Sequence, residues 1–130
     1  MIYAGDADVM GVDESAPYPD RYQTSYQETK AQAERLVAQA CEEGDVRAII
    51  LRPHLIWGPG DTHFVPRIVK QAKTLRRVGD GKNRIDTTYI YNAAQVHILA
   101  AEKLMTNQQL SGRIYFISQG EPVYLWDMVN

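Results

Sequence analysis

Tyr26 and Lys30 stand four residues apart in a stretch free of glycine and proline, so on a helix both side chains leave the same face. That spacing suits one kind of chemistry. A phenol has an ordinary pKa near ~10 and is protonated at neutral pH. An ammonium one helical turn away favours the phenolate and prepares the tyrosine to exchange a proton with a hydroxyl or carbonyl. Lysine's flexible stem can also carry its charge to a ribose hydroxyl of a bound nucleotide. The same spacing describes a solvated helix face with an exposed tyrosine, and spacing alone leaves both readings open.

Other residue types offer less. His54, His63 and His97 lie at separations that match no common zinc-ligand pattern, and no cysteine or carboxylate cluster joins them. They read as ordinary loop and helix histidines, with no metal implied. Arg76, Arg77 and Arg84 could meet an anionic substrate group, or they could form a solvated edge. The single cysteine, Cys41, excludes an internal disulfide and points to a reduced, cytoplasmic protein.

The elements that must position Tyr26 and Lys30 follow an alternating helical and extended pattern, the mark of an α/β layer structure. Ser25–Glu43 reads as a helix that stops at Gly44, with Ala33, Leu36, Val37 and Ala40 spaced as one buried stripe. Val46–Leu51 is a nearly continuous apolar run, expected to be a strand buried on both faces. A turn cluster at Trp57–Asp61 leads into a helix over Phe64–Leu75. A strand at Asp86–Tyr91, a helix over Asn92–Met105 and a late strand over 113–117 complete the series, all within one partial domain spanning 1–130.

Composition sets the outer limits. The chain of 130 residues is 45% hydrophobic and 23% charged, too apolar for a disordered chain and long enough for one small domain at most. Its net charge of −2 offers no polybasic surface for nucleic acid or anionic lipid. No apolar run reaches the ~18–20 residues of a membrane span.

In context the tyrosine–lysine pair becomes specific. Tyr26-Gln-Glu-Thr-Lys30-Ala-Gln-Ala-Glu34-Arg-Leu-Val37 resembles the active-site helix of the extended short-chain dehydrogenase/reductases. Leu51-Arg-Pro-His-Leu-Ile-Trp57-Gly-Pro-Gly-Asp61 resembles that family's motif after its strand. Val78–Asn83, Asp86–Ala94 and Gly112–Ser118 resemble its substrate-lobe segments and late strand, in the same order. The likeness is strongest to the 3β-hydroxysteroid dehydrogenase and NAD-dependent epimerase branch.

The resemblance implies a doubly wound, Rossmann-like α/β fold of which this chain is the C-terminal part, with a small substrate lobe. It implies NAD or NADP as cofactor and a CH–OH or ketone substrate, either a steroid or a long-chain keto or hydroxy acid. Tyr26 would be the general acid/base, and Lys30 would hold the nicotinamide ribose. Pro53, Leu55 and Ile56 would lie along the nicotinamide, in a loop leaving the carboxyl end of a strand. Arg84, Asp86 and Tyr89 would belong to the substrate lobe. A homodimer through the helix carrying Tyr26 and Lys30 is also implied.

Two parts of the family's machinery are not found in these residues. Gly79 and Gly81 lack the third glycine and the strand–helix frame of a pyrophosphate-binding turn. The family's serine or threonine hydroxyl beside the tyrosine has no counterpart, because Ser15, Thr24 and Ser25 stand too close to Tyr26. Met1–Asp6 would then be either the strand that bears that hydroxyl, with Gly5 or Asp6 where it should stand, or the loop just beyond it, which the length of chain before Tyr26 favours. Hence the chain alone is expected to bind dinucleotide very weakly and not to turn over. A nucleotide-sugar epimerase or dehydratase and a non-catalytic remnant or dimerisation module are the competing readings.

Overall fold

The computed structural model describes residues 9–71, 74–77 and 79–129; the segment Met1–Asp6 lies outside the described residues. In chain order the elements are α1 (Ser25–Glu43), β1 (Ile50–Pro53), β2 (Ile56–Trp57), α2 (Phe64–Gln71), β3 (Arg84–Ile85) and β4 (Thr88–Tyr89). They continue with α3 (Ile90–Thr106), a 3-10 turn (Gln108–Leu110), β5 (Ile114–Ile117), β6 (Val123–Tyr124) and α4 (Leu125–Val129). β1 pairs with β5, β2 with β4, and β3 with β6. The described residues divide into two compact units, 9–52 with 98–116 and 53–97 with 117–129.

α1 has the bounds expected from its sequence, and its ends show why. The Thr24 side chain accepts from the Gln27 amide, while the Gln27 side chain accepts from the Thr24 amide, a reciprocal cap for two orphan donors. At the other end Gly44 takes φ 83°, and its amide bonds the carbonyls of Ala40 and Cys41. The buried stripe is not the expected one. Ala31 and Glu34 are the buried residues of α1, whereas Leu36 and Val37 are exposed. The helix turns the face with Glu34, not the apolar row, toward a buried guanidinium.

The strand expected at Val46–Leu51 is shifted. β1 begins at Ile50 and continues through Arg52 to Pro53, and Val46–Ile49 lie outside it. Its ladder sets the bounds, since the Ile50 amide donates to the Arg113 carbonyl at 2.9 Å. β1 is also not apolar on both faces, because its one buried residue is Arg52. Among the described residues α2 spans Phe64–Gln71, and Thr74 and Leu75, expected to be helical, lie outside it, although both their amides bond the Gln71 carbonyl at 2.8 Å.

In the second unit the expected strand Asp86–Tyr91 reduces to Thr88–Tyr89, and α3 starts at Ile90 instead of Asn92. The Gln119 side-chain oxygen accepts from the Tyr89 amide at 3.2 Å and from Asn92 Nδ2 at 3.0 Å, which closes the helix start early. β2 and β4 are parallel, with Ile56 opposite Thr88 and Trp57 opposite Tyr89. β3 and β6 are antiparallel, with Arg84 opposite Tyr124. Ala93 and Thr88 are buried at the centre of this unit.

Candidate functional site

In the first unit Tyr26 and Lys30 come together on α1 as their spacing requires. Lys30 Nζ lies 5.8 Å from the centre of the Tyr26 ring. Tyr26 is 68% exposed. Among the described residues neither the phenol oxygen nor the ammonium has a hydrogen-bond or ion-pair partner. Both polar ends therefore remain open to a ligand.

One turn further along the same helix, Glu34 is held inside the unit. Arg52 Nη2 donates to Glu34 Oε1 at 2.6 Å and Arg52 Nε to Glu34 Oε2 at 3.0 Å, a two-pronged pairing of guanidinium and carboxylate. The Tyr18 hydroxyl donates to the same carboxylate. Burial and that carboxylate push the Tyr18 phenol above its ordinary range. Arg52 Nη1 reaches the Glu14 carbonyl at 3.4 Å, while the Glu14 side chain accepts from the Phe116 amide at 2.8 Å. The guanidinium also sits over the Phe116 ring at 5.3 Å. This network ties the loop before α1, α1 itself, β1 and β5 together, and so fixes the helix that carries the tyrosine.

Reading the sequence missed Glu34 and Arg52 as a pair. The signal was present in outline, since Glu34 continues the four-residue row from Tyr26 and Lys30. Nothing in a single sequence, however, distinguished Arg52, which is buried, from Arg47, which is exposed.

Pro53, Leu55 and Ile56 belong to the second unit, where the chain leaves β1 and enters β2. Leu55 has φ 41°, the left-handed backbone region. Thr88, fully buried, places its hydroxyl oxygen 2.8 Å from the His54 carbonyl and 2.9 Å from that of Ile117. Burial holds the His54 imidazole below its ordinary pKa, against an opposing hydrogen bond to the Asp86 backbone.

The residues expected in a substrate lobe take up separate tasks. Arg84 is exposed on β3, donates to the Pro122 carbonyl at 2.9 Å and lies over the Tyr124 ring at 5.8 Å. Asp86 is half-buried beside His54. The Tyr89 ring lies 5.1 Å from that of Trp57 and 5.5 Å from that of Tyr91. A Cβ at Gly58 would stand 2.6 Å from Ile90 Cγ2 and 2.9 Å from Tyr89 Cε2, so only glycine lets the chain pass this aromatic group. An open cleft of about 280 Å³ follows, lined by Ile56, Trp57, Pro59, His63, Phe64 and Ile90 among others.

Asp61 fixes one wall of that cleft. Its carboxylate accepts from the amides of Val65 at 2.7 Å, His63 at 2.8 Å and Phe64 at 2.9 Å, which holds its pKa below the ordinary value. A carboxylate whose folded pKa is depressed stabilises the fold fully above its unfolded value near ~3.9, and this stabilisation is lost as pH falls through the lower folded value. We expect the first turn of α2 to loosen as the pH drops below about 4, and Asp61→Ala to loosen it at every pH. Hydrogen exchange at the His63, Phe64 and Val65 amides reads this directly; unchanged protection in the variant contradicts it.

The model of the 3-beta hydroxysteroid dehydrogenase/isomerase family matches residues 2–130. A 2-alkyl-3-oxoalkanoate reductase of Stenotrophomonas maltophilia (strain K279a) is 47% identical over 123 residues, covering 93% of this chain and 37% of the reductase. The decarboxylating sterol-4-alpha-carboxylate 3-dehydrogenase of Candida albicans is 39% identical, over 100% of this chain and 39% of the relative. The chain thus spans less than two fifths of the length of these curated relatives. Among solved structures, RMD from Pseudomonas aeruginosa complexed with NADPH matches 98% of this chain and 45% of its own, with TM-score 0.70 at 20% identity. The dTDP-glucose 4,6-dehydratase DesIV of Streptomyces venezuelae, with NAD and TYD bound, also matches with TM-score 0.70 at 20% identity, over 98% of this chain and 39% of its own. The fold is that of the Rossmann-like extended short-chain dehydrogenases, and the chain belongs to the 3-beta hydroxysteroid dehydrogenase/isomerase family.

Proposed function

We propose that this chain supplies the proton-transfer part of an NAD(P)-dependent oxidoreductase acting on a CH–OH or ketone group of a steroid or a long-chain keto or hydroxy acid. The observation that carries it is the open pair on α1: a phenol 68% exposed, with an ammonium 5.8 Å from its ring and no described partner for either polar end. NAD or NADP, when bound, accepts or supplies the hydride. Lys30 holds the nicotinamide ribose, and Tyr26 gives a proton to the ketone oxygen or takes one from the alcohol. Pro53, Leu55 and Ile56 line the nicotinamide. Tyr89 and Asp86 border the substrate.

The names of the curated relatives, an oxoalkanoate reductase and a sterol dehydrogenase, support this substrate class. Residence in the cytoplasm fits the free Cys41. A homodimer through α1 is supported by the exposed Leu36 and Val37 on that helix. Among the described residues no helix is long and apolar enough to cross a membrane.

The test is a graft. This chain is substituted for the matching segment of the Stenotrophomonas maltophilia reductase and assayed with NADH and NADPH on a 2-alkyl-3-oxoalkanoate. We expect dinucleotide-dependent reduction by the graft, against only very weak dinucleotide binding and no turnover by the chain alone. A folded, dinucleotide-binding graft without turnover contradicts the proposal and favours a non-catalytic role.

A further inference from the structure

Leu55 is the one non-glycine residue with positive φ among those described. A side chain branched beyond Cβ adopts that backbone only where its surroundings over-determine it. Here the determinants converge on one residue. Thr88 is fully buried, and its single hydroxyl hydrogen is shared between the His54 and Ile117 carbonyls at 2.8 and 2.9 Å. Its amide donates to the Leu55 carbonyl at 3.2 Å, and the β2–β4 register sets it opposite Ile56. The Ile117 carbonyl also accepts from the His54 amide at 3.1 Å, so the same point holds the end of β1. Three consecutive residues, His54, Leu55 and Ile56, are thus all referred to Thr88.

Valine would fill the space of Thr88 but leave its two carbonyl partners without that donor. A threonine here therefore has a use beyond filling the interior. We propose that Thr88 is a positioning residue that sets the Leu55–Ile56 turn in the shape that meets the nicotinamide; this rests on the functional reading above. It acts through Leu55 and Ile56 and touches no ligand itself.

The experiment uses the 130-residue chain, isotope-labelled, with and without millimolar NADH. In the unsubstituted chain Leu55 is expected to show the strong amide to α-proton cross-peak of a positive-φ residue, and NADH is expected to shift the Leu55 and Ile56 amides. Thr88→Val is expected to lose both signals while the rest of the spectrum keeps its dispersion, and Thr88→Ser, which keeps the hydroxyl, to retain both. Retention of either signal in Thr88→Val overturns the proposal. An NADH-silent turn in the unsubstituted chain also overturns it as a positioning role. If the cross-peak still depends on the hydroxyl in that case, the failure lies with the placing of the nicotinamide and not with the clamp. Should Thr88→Val fail to fold, the double variant with Leu55→Gly takes its place, because glycine adopts this backbone unaided. The Ile56 response to NADH is expected to survive in that double variant, and its loss overturns the proposal.

Discussion

Arg52→Ala is expected to destabilise the first unit by about 3–5 kcal/mol, enough to unfold it under conditions where the parent chain is folded. The side chains of Arg52 and Glu34 are only 7% and 6% exposed, and their two contacts of 2.6 and 3.0 Å satisfy both oxygens of the carboxylate. Removing the guanidinium takes two charged donors from a buried carboxylate, and removing the carboxylate with Glu34→Ala takes two charged acceptors from a buried cation. Each single loss costs more than the pair is worth against two apolar residues, since an uncompensated buried charge is the larger penalty. The double variant Glu34→Leu, Arg52→Met is therefore expected to recover most of what either single variant loses. Arg52→Lys should fall between, because an ammonium keeps the charge but not the planar fork. Urea unfolding of the set measures this. A midpoint for Arg52→Ala close to that of the parent chain would show that the pair is solvated and does not hold α1.

How much of this was legible beforehand differs from element to element. α1 was readable to the residue, because its caps are local: Thr24, Gln27 and Gly44 settle its ends without help from the rest of the chain. The pairing of Tyr26 with Lys30 was readable for the same reason, as a helical turn alone brings them to one face. The limits of β1 were not, because they depend on a partner strand some sixty residues later, where the Arg113 carbonyl takes the Ile50 amide. The start of α3 was misplaced by two residues, since the side chain that closes it, Gln119, comes from beyond the far end of the helix. The apolar row Ala33, Leu36, Val37, Ala40 misled for a further reason. Periodicity shows which residues share a face but not which face is covered, and the covered face is the one that carries Glu34. Thr88 gave no advance sign of importance, because a threonine in a short strand is ordinary until its hydroxyl partners are known.

Tyr26→Phe carries the second large effect. The substitution keeps the ring beside Lys30 and removes only the hydroxyl, so packing and the face of α1 are preserved while the proposed proton donor is lost. Proton transfer from a positioned side chain contributes about 10²–10⁴-fold to rate, which sets the expected fall in the graft described above. With the ribose held by Lys30, as we propose, dinucleotide affinity is expected to change little. Lys30→Met is expected to weaken that affinity and lower the rate together. The two variants thereby separate proton transfer from holding the cofactor.

The most direct measurement is the turnover number of the graft with and without Tyr26→Phe, taken at saturating dinucleotide with its binding measured in parallel. A fall of about 100-fold or more with near-unchanged dinucleotide affinity is the predicted result. Equal turnover in the two proteins would contradict it and remove Tyr26 from the chemistry.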